Sequence, residues 1–452
     1  MIVCKFGGTS VGDAAAIGRL VGIARARLDH RPLIVVSALS KVTDLLLGLS
    51  EGGAVDAIVE RHQTVAEGLG VAAEVMPRIR DDATLLAQWL IARGRRAWSP
   101  GDIDHVVSHG ELWSSRIVAA ALTTAGLPAE WVDARHVVVT DATFTKAAPI
   151  PALIAERAGR VITPLIAAGR LPVTQGFIGA TESGQTTTLG RGGSDYSASL
   201  LGAALGAERV EIWTDVDGLL TADPRIVPDA RLLLEASYDE AAELAAFGAK
   251  VLHPATQLPL IDAGIPCWVK NSFAPDRPGT HILAGAVPHQ IGASPVRSIA
   301  WKKGITVVNV KAPRRLSAVE FHQNLFAVFA RHRIVVEILA SSEVNVSVTI
   351  EDASRIGALT ADLAELGQVT VFADRAIVAV VGVDLRGTRG FSARLFNAVK
   401  EVNIEVISQG ASEINVTFVV QEAEGPTAVR ALHHEFFGGA ESARASGHHQ
   451  LS

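Results

Sequence analysis

The chain has 452 residues, a length that allows about three domains of ordinary size. Hydrophobic residues make up 48% and charged residues 19%, which indicates a globular protein with a packed core and excludes a wholly disordered chain. The 41 Lys and Arg against 47 Asp and Glu give a formal net charge of -6. The chain therefore has no excess of basic residues to bind a nucleic acid or an anionic membrane, and we expect neither as a partner.

The two cysteines, Cys4 and Cys267, are too few for a disulfide framework and lack the paired spacing of a metal site. The apolar run at the N-terminus is too short for a signal peptide. No segment approaches the roughly 18 uninterrupted apolar residues that a membrane-spanning helix needs. We therefore expect a soluble, cytoplasmic protein.

Short Val- and Ile-rich runs alternate with Ala- and Leu-rich helical patterns over the first 285 or so residues. This alternation predicts an α/β domain with a mainly parallel sheet. The runs at 2–6, 33–36, 171–174 and 210–213 each end in a cluster of Gly, Ser, Thr, Gln or Asp residues. Because ligands of open α/β sheets bind beyond the carboxyl ends of the strands, the four clusters predict one composite site.

A loop rich in Pro, Asp and Gly at 274–279 marks the end of this domain, predicted at 1–285. Residues 321–350 then match residues 391–420 at nine positions, at a fixed offset of 70 and without gaps. We interpret this as an internal duplication of a small α+β unit. The predicted units are 300–370 and 371–440, the second completed by a strand from about 296–302, and a flexible tail follows at 441–452.

Two glycine-rich segments are candidate anion sites, although neither the Walker motif nor the dinucleotide-binding G-x-G-x-x-G pattern occurs. In the first, Lys5 ends a predicted strand immediately before Gly7 and Gly8, whose N–H groups can approach a polyphosphate closely. In the second, residues 188–195 open a predicted helix whose free N–H groups and positive dipole end suit a phosphate. Each segment alone is typical of a turn and a helix cap, but Lys5, Arg191 and Asp195 would bring opposite charges to one cleft.

Five motifs, in order, resemble those of the aspartate kinases of the amino-acid kinase superfamily. They are KFGGTSV at 5–11, SHGE at 108–111, TTTLGRGGSD at 186–195, WTDV at 213–216 with ADPR at 222–225, and FGAKVLHP at 247–254. The resemblance covers nearly the whole chain, because that family also carries two tandem ACT-type units. It implies an open αβα sandwich followed by two ferredoxin-like ACT units, in a monofunctional enzyme closest in pattern to the lysine-sensitive type.

The activity implied by the resemblance is ATP-dependent phosphorylation of the β-carboxylate of L-aspartate, the first step of the aspartate-derived amino-acid pathway. A carboxylate with a reference pKa of about 4 is ionised at neutral pH, so catalysis needs positioning and charge neutralisation and no general base. The implied cofactors are ATP and the Mg²⁺ that ATP carries, with no metal bound directly by the protein. The catalytic residues implied are Lys5, Gly8, Arg191 and Asp195.

The resemblance also assigns the binding residues. Arg191 would bind the α-carboxylate of the substrate and Glu111 its α-ammonium group, with Ser37, Thr43 and Phe177 alongside; this fits the affinity of guanidinium for carboxylate. The positions implied for the nucleotide are Lys5, Gly7, Gly8, Ser10, Thr214, Asp215, Leu220, Arg225 and Lys250. Leu220 stands where the family often has an aromatic residue, which predicts weaker stacking on the adenine.

The resemblance further implies a homodimer formed through the ACT units, with an amino-acid effector at their interface. The implied effector residues are Phe321, Val336, Glu337, Ser342 and Glu343. The second copy keeps a glycine before its helix at Gly390, whereas the first has Glu320 there, and Glu337 replaces the usual Asp. We therefore predict that the protein responds weakly or differently to lysine.

Three alternatives stay open at this level. The enzyme could act on another amino acid such as glutamate, because Glu111 and Arg191 recognise any α-amino acid. It could be an idle amino-acid sensor, although the presence of Lys5, Arg191 and Asp195 argues against this. His105 and His109 lie one helical turn apart, which would suit a metal, but with no third ligand nearby we interpret both as structural. The stripe of Phe321, Leu325, Phe326 and Phe329 is interpreted as core.

Overall fold

The computed structural model describes residues 1–94, 96–248, 254–283, 285, 294–312, 317–342 and 345–438. These residues form two compact bodies. The first contains residues 1–219, 232–241 and the described residues from 254 to 285, and the second contains 220–231, 242–248 and the described residues from 294 onward. The predicted tail at 441–452 lies outside the described residues.

The part of the chain up to residue 283 alternates strands and helices, as its sequence predicts. The strands are β1 (Ile2–Phe6), β2 (Pro32–Val36), β3 (Ala129–Val132), β4 (Leu171–Gln175), β5 (Ile178–Ala180), β6 (Thr186–Thr188), β7 (Arg209–Thr214), β8 (Glu235–Ser237), β9 (Cys267–Asn271) and β10 (Thr280–Leu283). The helices are α1 (Ala14–Arg25), α2 (Val42–Leu47), α3 (Val55–Gly68), α4 (Ala72–Arg93), α5 (Pro100–Thr124), α6 (Pro151–Ala167), α7 (Gly193–Ala204), α8 (Tyr238–Ala246) and α9 (Pro254–Ala263). Within the described ranges, none of the helices is both long and apolar enough to cross a membrane.

An eight-stranded sheet in the order β3-β4-β2-β1-β7-β9-β10-β8 organises the first body. All its pairings are parallel except that of β9 with β10. Strands β1, β2 and β4 are buried at every residue, which fits their mainly apolar sequences; Lys5, Thr174 and Gln175 are polar exceptions near the carboxyl ends of β1 and β4. Because β4, β2, β1 and β7 are consecutive and parallel, the polar clusters that follow them lie along one edge of the sheet.

The second body is built around one six-stranded antiparallel sheet. Its strands are β11 (Val296–Lys311), β12 (Leu339–Ser341), β13 (Asn345–Ile350), β14 (Gln368–Gly382), β15 (Val406–Gln409) and β16 (Asn415–Gln421), and its helices from residue 318 onward are α10 (Ala318–His332), α11 (Ile356–Ala364), α12 (Phe391–Ala398) and α13 (Gly425–Phe437). The sheet order β12-β13-β11-β14-β16-β15 is symmetric about the β11–β14 pair, which reflects the internal duplication. The predicted fold class, an α/β domain followed by two α+β units, is confirmed.

The two copies of the duplicated unit differ at the start of their first helix. In the second copy Gly390, in the left-handed region at φ 76°, immediately precedes α12. In the first copy Ser317 caps α10: its hydroxyl accepts the N–H of Glu320, whose carboxylate accepts the N–H of Ser317 in return. With the offset of 70, α10 begins three residues earlier than α12, at Ala318 against Phe391.

The apolar stripe of α10 is narrower than its sequence suggests. Phe321, Leu325 and Phe329 are buried in the core of the second body, together with Val328. The interpretation of Phe326 as core is wrong, since 40% of this residue is exposed. Adjacent residues of a helix are about 100° apart, so Phe326 lies beside the buried stripe that Leu325 occupies.

Candidate active site

A cavity of about 650 Å³ opens at the carboxyl ends of β1, β2, β4 and β7 in the first body. Of the residues that the sequence singles out, those lining it are Lys5, Gly7, Gly8, Ser37, Thr43, Glu111, Phe177, Arg191, Asp195, Thr214 and Asp215. Lys41, Thr145 and Thr188 line it as well. The structure therefore brings most of the predicted catalytic and binding residues into one place.

Lys5 and Asp195 form a direct ion pair within this cavity. Lys5 is the penultimate residue of the central strand β1, Asp195 lies in the first turn of α7, and Nζ of Lys5 is 2.6 Å from Oδ1 of Asp195. Both side chains are largely buried, so solvent screens their attraction only weakly. A cation held in this way beside glycine backbone is suited to bind a phosphoryl group.

Both glycine segments need glycine for a specific reason. A Cβ atom on Gly8 would lie 3.2 Å from the carbonyl oxygen of Ala38, so a side chain here would crowd the loop after β2. Gly192, immediately before α7, has φ 74°, a conformation that other residues adopt only at a cost. The second turn thus presents the N-terminus of α7, with its free N–H groups, to the cavity.

Phe177 is held in a strained conformation at the cavity wall. Its φ of 68° is unusual for an aromatic residue, and two hydrogen bonds maintain it: its N–H donates to the hydroxyl of Ser197, and its carbonyl accepts the N–H of Leu189. Its ring packs so closely on Gly193 that a Cβ there would lie 2.7 Å from the ring. Backbone strain of this kind is typical of binding sites.

Glu111 supplies a buried carboxyl group to the cavity. It lies on α5 and is only 3% exposed; its Oε1 accepts the N–H of Ala38 at 3.3 Å, and its Oε2 has no hydrogen-bond partner among the described residues. Burial raises the pKa of this carboxyl group to about 8, with the hydrogen bond from Ala38 opposing the shift. An unpartnered buried carboxylate oxygen is well placed to accept an ammonium group.

The charges around the cavity are balanced. Lys5, Lys41 and Arg191 supply cations, and Glu111, Asp195 and Asp215 supply carboxyl groups. Within the described part of the chain, no group of three or more His, Cys, Asp or Glu has the arrangement of a metal site. Asp195 and Asp215 nevertheless provide the hard oxygen atoms that suit a Mg²⁺ ion arriving with a nucleotide.

Ser10, Leu220 and Arg225, which are also predicted to bind the nucleotide, are not among the described residues that line the cavity. The hydroxyl of Ser10 is buried and bonds to Ser272 at 2.7 Å and to the carbonyl of Trp213 at 3.2 Å. Leu220 and Arg225 belong to the second body, where Arg225 pairs with Asp223. Lys250 lies outside the described residues, and the assignment of all four to the nucleotide stays a prediction.

The face of α5 opposite the cavity holds the two histidines. The Nδ1–H of His109 donates to the carbonyl of His105, 3.0 Å away, and the ring of His109 packs on Trp113. Burial lowers the pKa of His109 to about 4, which keeps the ring neutral near pH 7. These contacts are those of structural histidines.

Comparisons with known proteins agree with this geometry. The profile of the Amino acid kinase family matches residues 1–271, and the profile of an ACT domain matches residues 378–436. The first match alone spans more than half of the chain. It coincides with the sheet and the cavity described above, and the second lies in the six-stranded sheet.

Relatives and solved structures extend the similarity over almost the full length. The chain is 37% identical to the lysine-sensitive aspartokinase 3 of Escherichia coli over 456 residues, which covers 97% of this chain and 99% of the relative. The crystal structure of E. coli aspartokinase III in complex with aspartate and ADP, in the R state, matches with a TM-score of 0.83 at 36% identity, covering 97% of this chain and 100% of the other. The same enzyme in complex with lysine and aspartate, in the T state, matches with a TM-score of 0.82 at 36% identity, covering 97% and 99%. The resemblance of the motifs is thus confirmed, and the chain belongs to the amino acid kinase family and, within it, to the aspartokinases.

Proposed function

We propose that the protein transfers the γ-phosphoryl group of MgATP to the β-carboxylate of L-aspartate, giving 4-phospho-L-aspartate and ADP. The observation that carries this proposal is the convergence of the Lys5–Asp195 ion pair, two glycine turns, Glu111 and Arg191 on one cavity. A phosphate donor and a zwitterionic acceptor would each find groups of opposite charge there. The aspartokinase relatives identify the donor and the acceptor.

In the proposed reaction the substrate supplies its own nucleophile. The β-carboxylate, with a reference pKa of about 4, is ionised at neutral pH, and an oxygen of this group attacks the γ-phosphorus while the bond to the bridging oxygen of ADP breaks. The ammonium group of Lys5 neutralises charge on the transferred group, and Asp195 orients Lys5 and the Mg²⁺-bound phosphates. Preorganised charges of this kind supply the main catalytic effect, so no histidine base is needed.

The amino acid would bind between Glu111 and Arg191. Oε2 of Glu111 accepts the α-ammonium group, and the exposed guanidinium of Arg191 binds the α-carboxylate in a bidentate manner. Ser37, Thr43 and Phe177, which line the same cavity, would lie alongside the amino acid. On the donor side Gly7, Gly8, Thr214 and Asp215 would contact the nucleotide and its Mg²⁺ ion.

We infer a regulatory role for the second body, with a weak or altered response to lysine. Glu337 is already bound to the ammonium group of Lys302 at 2.5 Å, and α10 has an additional first turn at the positions where the other copy has the residues before Gly390 and Gly390 itself. Of the other effector residues, Phe321 is buried, Val336 is partly buried, Ser342 is exposed and bonded to Asn345, and Glu343 lies outside the described residues.

The domain limits of 1–285, 300–370 and 371–440 and a homodimer through the ACT-like units are part of the same proposal. Strands β12 and β15, at the two ends of the strand order, support an interface, because Leu339 and Ile407 are exposed there. Sedimentation of the full chain tests the dimer.

The test of the reaction is ATP-dependent acyl phosphate formation, trapped with hydroxylamine, with L-aspartate and L-glutamate compared in parallel and each assayed with and without lysine. We expect turnover with aspartate alone and little inhibition by low-millimolar lysine. Turnover with glutamate would identify a different amino-acid kinase. Absence of turnover with both, from a folded protein that binds ATP, would favour a sensor and overturn the proposal.

A further inference from the structure

Asp104 is a fully buried carboxylate on α5 that the proposed reaction does not use. It is 0% exposed, and among the described residues no Lys, Arg or His forms an ion pair with it. Three neutral donors hold it instead: its Oδ2 accepts the N–H groups of Thr145 and Thr188, each at 2.9 Å, and its Oδ1 accepts the hydroxyl of Thr188 at 2.6 Å. Burying a charge without a counter-ion costs free energy, and burial raises the pKa of the Asp104 carboxyl group. A carboxyl group in this environment therefore indicates a specific role for Asp104.

Both partners of Asp104 line the cavity. Thr145 has φ 68°, and a β-branched residue in this left-handed region is a clear outlier that only its surroundings can maintain. Its N–H donates a hydrogen bond to Asp104, a contact that stabilises this conformation. The strain is therefore located at the wall of the amino-acid site.

The same carboxylate also fixes the turn that carries Arg191. Thr188 ends β6, three residues before Arg191, and its carbonyl accepts the N–H of Ala147 at 2.9 Å. The carbonyl of Thr145 lies so close to Gly190 that a Cβ there would be 3.0 Å away. One side chain thus joins the segment around Thr145 to the glycine turn.

We propose that Asp104 is a positioning residue: by holding Thr145 in its left-handed conformation against the turn at Gly190, it sets the shape of the amino-acid end of the cavity and the placement of Arg191. This inference rests on the proposed function, because it assigns that end to the acidic amino acid. Asp104 itself contacts no substrate. Its effect is on the KM for the amino acid and on the choice between aspartate and the longer glutamate.

The experiment compares three variants of the full-length protein with the wild type. Asp104→Ala removes all three hydrogen bonds, and we expect it to raise the KM for L-aspartate by roughly tenfold or more, as misplaced binding groups do. The affinity for ADP, measured by calorimetry, should stay close to that of the wild type. Asp104→Asn keeps the shape and can make the same three contacts once the hydroxyl of Thr188 turns, so it should restore most of the affinity for aspartate.

The third variant separates positioning from general damage. Glycine adopts a positive φ freely, so introducing Thr145→Gly alongside Asp104→Ala should recover a large part of the lost affinity. Asp141→Asn is the matched control, because Asp141 holds the same loop from its exposed side through Thr143 and Ala148. It should leave the KM for aspartate and the aspartate-to-glutamate preference unchanged.

Distinct outcomes would overturn the inference and the proposed function. If the wild type fails to phosphorylate aspartate, the proposed function is wrong. If the wild type is active and Asp104→Ala leaves the KM and the substrate preference unchanged, the inference is wrong. An Asp104→Asn variant as impaired as Asp104→Ala would likewise contradict it, since the charge and not the geometry would then matter. If Asp104→Ala does not fold, Asp104→Leu provides the same comparison, alone and with Thr145→Gly, because leucine has a similar branched shape and accepts no hydrogen bond.

Discussion

The ammonium group of Lys5 lies 2.6 Å from the carboxylate of Asp195, which connects the end of the central strand β1 to the first turn of α7. Each residue lies next to a glycine-rich turn: Lys5 is in β1, shortly before Gly7 and Gly8, and Asp195 is in α7, shortly after Gly192. The pairing aims the ammonium group of Lys5 at the region enclosed by both turns. A phosphoryl group entering there would meet a positive charge that needs little reorganisation.

Removal of either partner should therefore abolish most turnover. We expect Lys5→Ala and Asp195→Ala each to lower kcat by about a hundredfold or more, the usual effect of losing a group that stabilises developing charge. The measurement is trapped acyl phosphate under saturating aspartate and ATP. Lys303→Ala, which removes an exposed lysine of the second body, is the control. Turnover within about tenfold of the wild type in either variant would refute the assigned role.

Aspartate binding should depend on pH through Glu111. Its pKa is about 8, so the carboxyl group is mostly protonated at pH 6 to 7 and must lose this proton to accept an ammonium group. The KM for aspartate should thus fall as the pH rises towards 8, with a limiting slope of about tenfold per pH unit, and level off above 8. KM measured between pH 6 and 9 checks this, and a KM independent of pH would contradict it.

Glu111→Gln is the matched control for that prediction. The amide does not ionise, so affinity for aspartate should be weaker and its pH dependence should vanish. The raised pKa of Glu111 also affects the stability of the folded protein. A carboxyl group with a raised pKa contributes stability below its ordinary value of 4.5 that is lost as the pH rises to about 8. The melting temperature of the wild type should therefore fall relative to that of the variant over this interval.

The response to lysine should depend on Lys302. Burial opposes its charge, but hydrogen bonds to Glu337 and Glu351 outweigh this and raise the pKa of the ammonium group. Because Glu337 is already occupied by this internal cation, Lys302→Met should free it and increase inhibition by lysine, lowering the half-inhibitory concentration by roughly tenfold, the effect of one ion pair of about 1.4 kcal/mol. The exposed neighbour provides the control, Lys303→Met. Equal inhibition curves for the two variants would contradict the prediction.

The local sequence was sufficient to predict the strands that surround the cavity. The apolar runs at β1, β2, β4 and β7 predict buried parallel strands, and parallel strands bring their carboxyl ends together, which is why Lys5 and Thr214 could be expected on one site. Features that depend on contacts distant in sequence could not be foreseen. No pattern indicates that Asp104 meets Thr188, or that Phe177 takes up a positive φ next to a glycine that would adopt it more easily.

The second body illustrates the same limit. Leu325 is buried and its neighbour Phe326 is exposed, although both are apolar. The packing of α10 on the sheet determines which of the two side chains is buried. The ion pair of Lys302 with Glu337 joins a residue of β11 to a residue 35 positions later in the chain. The sequence identifies Glu337 as a departure from the family pattern. Its ion pair with Lys302 depends on how the chain folds and could not be predicted.

Thr221 should be a main determinant of stability in the second body. Its hydroxyl oxygen accepts the N–H of Arg231 at 2.8 Å and lies 3.0 Å from Nε2 of His433, a residue whose pKa burial lowers. Thr221→Val keeps the volume but leaves the buried ring of His433 and the N–H of Arg231 without this hydrogen bond, so we expect a loss of about 1–3 kcal/mol in the free energy of unfolding. Thr427→Val, at an exposed site, should change it by less than about 0.5 kcal/mol. Denaturant unfolding followed by circular dichroism measures both. Equal small effects would mean that the Thr221 hydroxyl does not hold residues 221–231 to α13.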